Sequence, residues 1–145
     1  MLLTIFALVA VLTACEKEEE MHTEEEHEHE ETDYAYHAHI ESPNADDKEL
    51  DDLIHVHINF ESHTGETIHN IDVRFFKADD LENPVHVAAN EEHVHGDGEY
   101  QYHADIMLNA ENGFSDHGDY ILKATVFGAE ERNGEESEEL KFYIH

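Results

Sequence analysis

Histidines spaced two residues apart carry the clearest chemistry in this sequence. His37 and His39 form one His-x-His pair, and His55 and His57 form a second. Imidazole nitrogens are good ligands for zinc, copper and nickel. On a β-strand, the two side chains of such a pair point to the same face, about 7 Å apart. We therefore predict these four histidines as metal ligands, with zinc as the first metal and copper or nickel as alternatives.

The segments that carry these pairs alternate between polar and apolar residues. In both 34–40 and 53–60, the histidines occupy one parity and apolar residues occupy the other. This alternation is typical of a strand with one buried face. We expect the first two strands to pair antiparallel, which would set the two histidine pairs across from each other with Cβ atoms about 4.5–5.5 Å apart.

Further histidines are predicted as ligands of lower rank. His93 and His95 fall in a polar run, 90–98, that is predicted to be a loop, and His103 faces outward on a strand predicted over 99–108. His27 and His29 lie in an acidic N-terminal segment. His69 shares the parity of apolar neighbours in its own segment and is predicted to be a core-edge histidine. His86 and His145 are predicted to point outward.

About seven short alternating segments fall within residues 34–145, and no helical period is evident. This pattern favours an all-β fold with a single antiparallel sandwich. The run Asp116-His117-Gly118-Asp119-Tyr120 resembles the stretch before strand F of immunoglobulin-like sandwiches. The resemblance implies a tyrosine corner at Tyr120 and a core position at Leu122. We therefore predict an immunoglobulin-like β-sandwich domain over 34–145.

The N-terminus has the features of an export signal. Residues 2–14 are apolar and too short to span a bilayer, and they end at Leu12-Thr13-Ala14-Cys15. This junction resembles the lipobox of bacterial lipoproteins, which implies a signal peptide over 1–14 and lipidation of Cys15. The following Glu16-Lys17-Glu18-Glu19-Glu20 resembles the signal that sends Bacteroidota lipoproteins to the cell surface. The expected location is the outer membrane, surface-exposed or otherwise periplasm-facing.

Residues 15–33 are predicted to form an acidic, disordered tether that follows this anchor. Eleven of the eighteen residues in 16–33 are acidic and almost none is apolar. Such a segment cannot bury enough apolar surface to fold, and its like charges extend it.

The overall charge restricts the partners of the chain. Lys and Arg total 7 against 37 Asp and Glu, which gives a formal charge of −30 with histidine neutral. This charge excludes nucleic acid as a partner, restricts membrane contact to the lipid anchor, and favours divalent cations. We expect a non-enzymatic metal scavenger, buffer or delivery module, because no catalytic motif is evident. The alternative is an envelope interaction or adhesion module that binds a protein or glycan, with incidental surface histidines.

Overall fold

A computed structural model of the chain describes residues 36–129 and 132–145. The predicted signal peptide, Cys15 and the acidic tether lie outside the described residues, as do His27 and His29. No helix among the described residues is long and apolar enough to cross a bilayer. The described residues form seven strands: β1 (Tyr36–Ser42), β2 (Leu53–Ser62), β3 (Thr67–Lys77), β4 (Asp80–Asp97), β5 (Glu99–Met107), β6 (Gly118–Phe127) and β7 (Glu136–Ile144).

The strands form two antiparallel sheets. One sheet has three strands in the order β1-β2-β5, and the other has four in the order β4-β3-β6-β7. Every neighbouring pair of strands within these sheets is antiparallel. This seven-strand arrangement confirms the predicted immunoglobulin-like antiparallel sandwich.

The core lies between the inner faces of the two sheets. Its fully buried side chains come from the alternating positions of both sheets, among them Ile58, Phe60, Phe75 and Leu122. Burying a side chain of this size contributes roughly 1.5–3 kcal/mol, so this alternation is what drives the two sheets together. All seven strands lie within the compact unit Thr32–His145, so that segment contains the complete described core.

The tyrosine corner predicted at Tyr120 is present. The Tyr120 hydroxyl accepts a hydrogen bond from the Ser115 backbone N–H at 2.8 Å and donates to the Ser115 carbonyl oxygen at 3.2 Å. Both Tyr120 and Leu122 are fully buried. These bonds fix the loop before β6 against the core, as the resemblance implied.

Strand β4 is longer than the sequence predicts. The prediction of a loop over 90–98 was wrong, because β4 continues to Asp97. Val73 pairs with Ala89 and Ile71 with Glu92, so β4 holds one extra residue there, and Glu91 has a positive φ of 47°. Such a bulge breaks the alternation of inward and outward residues, and this break made the segment resemble a loop.

Candidate metal centre

Three histidines from two neighbouring strands meet on the four-stranded sheet. His69 lies on β3, and His93 and His95 lie on β4. One ring nitrogen from each residue lies within 4.8 Å of the other two. Across 36–129 and 132–145, no other three His, Cys, Asp or Glu side chains meet this spacing. We refer to His69, His93 and His95 as the histidine triad.

A second β-bulge creates the triad. Ile68 pairs with Gly96 and Asn70 with His93, so two β4 residues stand opposite the single residue His69. The buried side chains of β3 change parity at this point. Ile68 and Ile71 are both buried although they are three residues apart, whereas an unbroken strand buries residues separated by an even number. The prediction of His69 as a core-edge residue assumed an unbroken parity. The side chain is half-buried, as a core-edge position requires, but it lies beside the two β4 histidines and its Nδ1 has no hydrogen-bond partner among the described residues.

The three imidazole rings surround a common volume. The ring centroids of His93 and His95 are 4.6 Å apart, and those of His69 lie 5.8 Å from His93 and 6.0 Å from His95. Tetrahedral zinc with Zn–N bonds of about 2.0–2.1 Å needs ligand nitrogens roughly 3.4 Å apart. The triad nitrogens lie within 4.8 Å of one another, and the exposure of His93 and His95 leaves their side chains room to rotate towards that separation.

His69 carries a polar atom that the protein leaves unpaired. Its Nδ1 is buried and has no hydrogen-bond partner within the described part of the chain. Buried polar atoms are nearly always paired, and leaving one unpaired costs about 1–3 kcal/mol. A bound cation is a partner that would satisfy a nitrogen of this kind. The residues of the triad therefore fit a metal ion both in type and in spacing.

Two acidic residues lie next to the triad in β4, and an open groove borders His69. Glu92 and Asp97 are exposed on β4 beside the two ligand histidines. A groove of about 420 Å³ runs along His69 and is also lined by Glu66 and Thr67. Negative charge on the walls of a groove raises the local concentration of cations. The surroundings therefore favour the approach of a divalent ion.

The four ligands predicted first are not brought together in this way. Strands β1 and β2 pair antiparallel as predicted, but His39 lies opposite Asn59 and His57 lies opposite Ser42. The nearest members of the two His-x-His pairs, His39 and His57, are thus offset by two residues, and the expectation that the pairs face each other directly was wrong. The register instead follows the apolar inner face, where Ile40 lies opposite Ile58. Inner-face packing sets strand register.

Each of the four histidines predicted first lies next to a carboxylate or to another histidine. His55 Nδ1 contacts Asp105, His39 Nδ1 lies 3.8 Å from Glu138, and the His37 ring packs edge-on against His63 at 4.6 Å. His57 Nδ1 lies 2.9 Å from a Glu41 oxygen. The ring of His103, predicted at lower rank, stacks on His57.

His86 and His145 were both predicted to point outward, and they differ in burial. His86 is half-buried rather than outward, with ring centroids 5.9 Å from Phe75 and 6.0 Å from Phe114. Burial lowers the pKa of His86 below its usual value. His145 is exposed as predicted, and its Nε2 lies 3.0 Å from an Asp47 oxygen.

Comparisons with known proteins identify no family. No protein-family model and no curated protein matches the chain. Three similar solved structures are a β-glucosidase from Listeria innocua, a superoxide reductase (neelaredoxin) from Ignicoccus hospitalis, and the CARDB domain of a Pyrococcus furiosus protein in complex with di-metal ions.

These similarities are low. The identities are 14%, 17% and 13%, and the TM-scores are 0.44, 0.46 and 0.42, in the same order. The matches cover 76%, 74% and 76% of this chain. The chain spans only 16% of the β-glucosidase, against 79% of the superoxide reductase and 94% of the CARDB domain. Similarity at this level assigns neither a family nor a ligand.

Proposed function

We propose that this domain binds one divalent transition metal ion through the histidine triad. The observation that carries the proposal is the convergence of three ring nitrogens within 4.8 Å, one histidine of which has a buried and unpaired nitrogen. Three imidazoles with an open fourth position suit zinc, and copper or nickel would also accept this donor set. The proposal is one of binding and assigns no catalytic step to the domain.

The setting favours capture and exchange of the metal over permanent retention. His93 and His95 are exposed, and the groove that His69 lines is open to solvent, so the triad is accessible from solvent. We propose a scavenger, buffer or delivery role in the cell envelope. Cys15 and the apolar run before it support lipid anchoring in the outer membrane, and the charge of −30 supports attraction of cations.

Calorimetric titration of Zn²⁺ into segment Thr32–His145 tests the metal site directly. This segment lacks His22, His27 and His29, so weak binding by the N-terminal region does not interfere. We expect an equivalent of micromolar or tighter affinity that disappears when all three triad histidines are replaced by Gln. Titrations with Cu²⁺ and Ni²⁺ then rank the metals.

The matched control is His145→Gln, which removes an exposed histidine beside a carboxylate and should leave this equivalent unchanged. Retention of the tight equivalent in the triple variant would contradict the proposal. Several weak equivalents of similar affinity would indicate a histidine-rich coat, and pull-down of an envelope protein or glycan partner would then be the next experiment.

A further inference from the structure

We propose that His57 and His103 form a second metal site on the outer face of the three-stranded sheet. This site takes the same class of divalent transition metal as the proposed function, but it shares no residue with the histidine triad. The two sites lie on different sheets, so each can be removed separately.

The strand register brings the two imidazoles together. His57 on β2 lies directly opposite His103 on β5. The ring centroids are 4.1 Å apart and the ring planes are inclined by 20°. The lone pairs of stacked imidazoles lie in nearly parallel planes, so the two rings must tilt apart for one nitrogen from each to reach a common ion, around which ligand nitrogens lie roughly 3–3.5 Å apart.

The Glu41 carboxylate lies beside one ring nitrogen of His57. It lies 2.9 Å from His57 Nδ1, an arrangement that favours the tautomer with the proton on Nδ1. The lone pair of the neutral ring is then on Nε2. Metal-binding histidines are commonly oriented by a carboxylate on the other ring nitrogen. Glu41 lies at the register irregularity between Ile40 and Ser42 in β1, and bulges of this kind re-aim a side chain.

The nitrogen that would bind the metal has no other partner. His57 Nε2 is buried and makes no hydrogen bond to any described residue, although the side chain as a whole is 28% exposed. A cation bound between the two rings would give His57 Nε2 a partner and would also contact the imidazole of His103. Only two protein ligands are supplied, and water would fill the remaining positions, so this site should bind more weakly than the triad.

The test uses segment Thr32–His145 in which His69, His93 and His95 are all replaced by Gln. Titration of this variant with Cu²⁺ should reveal one remaining equivalent. Electron paramagnetic resonance of the complex should show hyperfine coupling to two imidazole nitrogens, falling to one when His103→Gln is added. Adding Glu41→Gln should weaken binding about 10- to 100-fold without removing a ligand.

The matched control is His55→Gln, which removes a histidine from the same strand and the same face as His57. His55 contacts Asp105 rather than His103, so binding should be unchanged. Far-ultraviolet circular dichroism of every variant checks the fold. Since Glu41 is exposed, Glu41→Gln keeps the test decisive if the histidine variants unfold.

The outcomes separate this inference from the proposed function. No Cu²⁺ equivalent in the triad-deleted variant would overturn the second site and leave the triad standing. An unchanged affinity in the Glu41→Gln or His103→Gln addition would also overturn it. Loss of the only tight equivalent on His57→Gln, with no effect of triad deletion, would overturn the proposed function and support the second site.

Discussion

Replacing His69 by leucine should stabilise the metal-free domain while removing the metal site. His69 Nδ1 is buried without a partner in the described chain, and an unpaired buried polar atom costs about 1–3 kcal/mol. Leucine has a similar volume and needs no hydrogen bond. Because the side chain is only half-buried, the low end of this range of about 1–3 kcal/mol applies. We therefore expect the free energy of unfolding of the metal-free domain to rise by about 1 kcal/mol.

The effect should reverse when metal is present. A ligand at one hundred times its dissociation constant stabilises the folded state by about 2.7 kcal/mol. For a domain of this size, each kcal/mol raises Tm by about 4 °C, so zinc should raise the Tm of the wild-type domain by about 10 °C. If His69→Leu weakens binding about 100-fold, the same zinc concentration contributes only about 0.4 kcal/mol.

Urea unfolding with a chelator measures the first effect, and thermal unfolding with and without zinc measures the second. His145→Leu is the control, because His145 is exposed and outside the triad. This control should change neither quantity appreciably. The reasoning is refuted if His69→Leu lowers the metal-free unfolding free energy by more than about 1 kcal/mol, since His69 would then be a packing residue. It is also refuted if the zinc-induced rise in Tm persists in the variant.

Three further predictions concern the fold. Tyr120→Phe removes the hydrogen bonds to Ser115 and should cost about 1–3 kcal/mol of unfolding free energy, measured in urea. Gly113→Ala should destabilise by more than about 1 kcal/mol, because φ is +85° and the new Cβ would clash with the Val85 carbonyl oxygen. Circular dichroism melts measure this loss. Burial lowers the pKa of His86, so the unfolded state binds its proton more readily and wild-type stability should fall as the pH drops through about 6.5. His86→Leu should reduce this loss in urea titrations between pH 8 and pH 5, and an unchanged pH slope would contradict it.

The sequence predicts the fold where the chain alternates without interruption. In β2, the parity of Ile54, Val56, Ile58 and Phe60 identifies the inner face, and all four residues are buried. This works because side-chain direction in a regular strand depends only on parity. The register between β1 and β2 was not predictable in the same way, because the connection from Ser42 to Leu53 is long and β1 contains an irregularity just before it.

The candidate site was predictable only in part. His93 and His95 were named from their spacing, but the extra residues in β4 hid the strand that carries them. His69 was missed as a ligand because its parity follows Ile71, and the signal for the break is that Ile68 and Ile71 are apolar but three residues apart. A single sequence gives no measure of how such a break places side chains across two strands.

The histidine triad lies at an irregular point of the sandwich, whereas His57 and His103 face each other across a regular pair of strands. His69 and His95 meet at a bulge between β3 and β4, and His57 meets Glu41 at the irregular end of β1. In the regular part of β1, by contrast, His39 stands opposite an asparagine, and no triad forms there. Regular strands separate outward side chains on one strand by about 7 Å, so a third histidine ligand has to come from a neighbouring strand. The convergence of three histidines therefore depends less on the number of histidines than on the backbone bulge at which His69 lies beside His93 and His95.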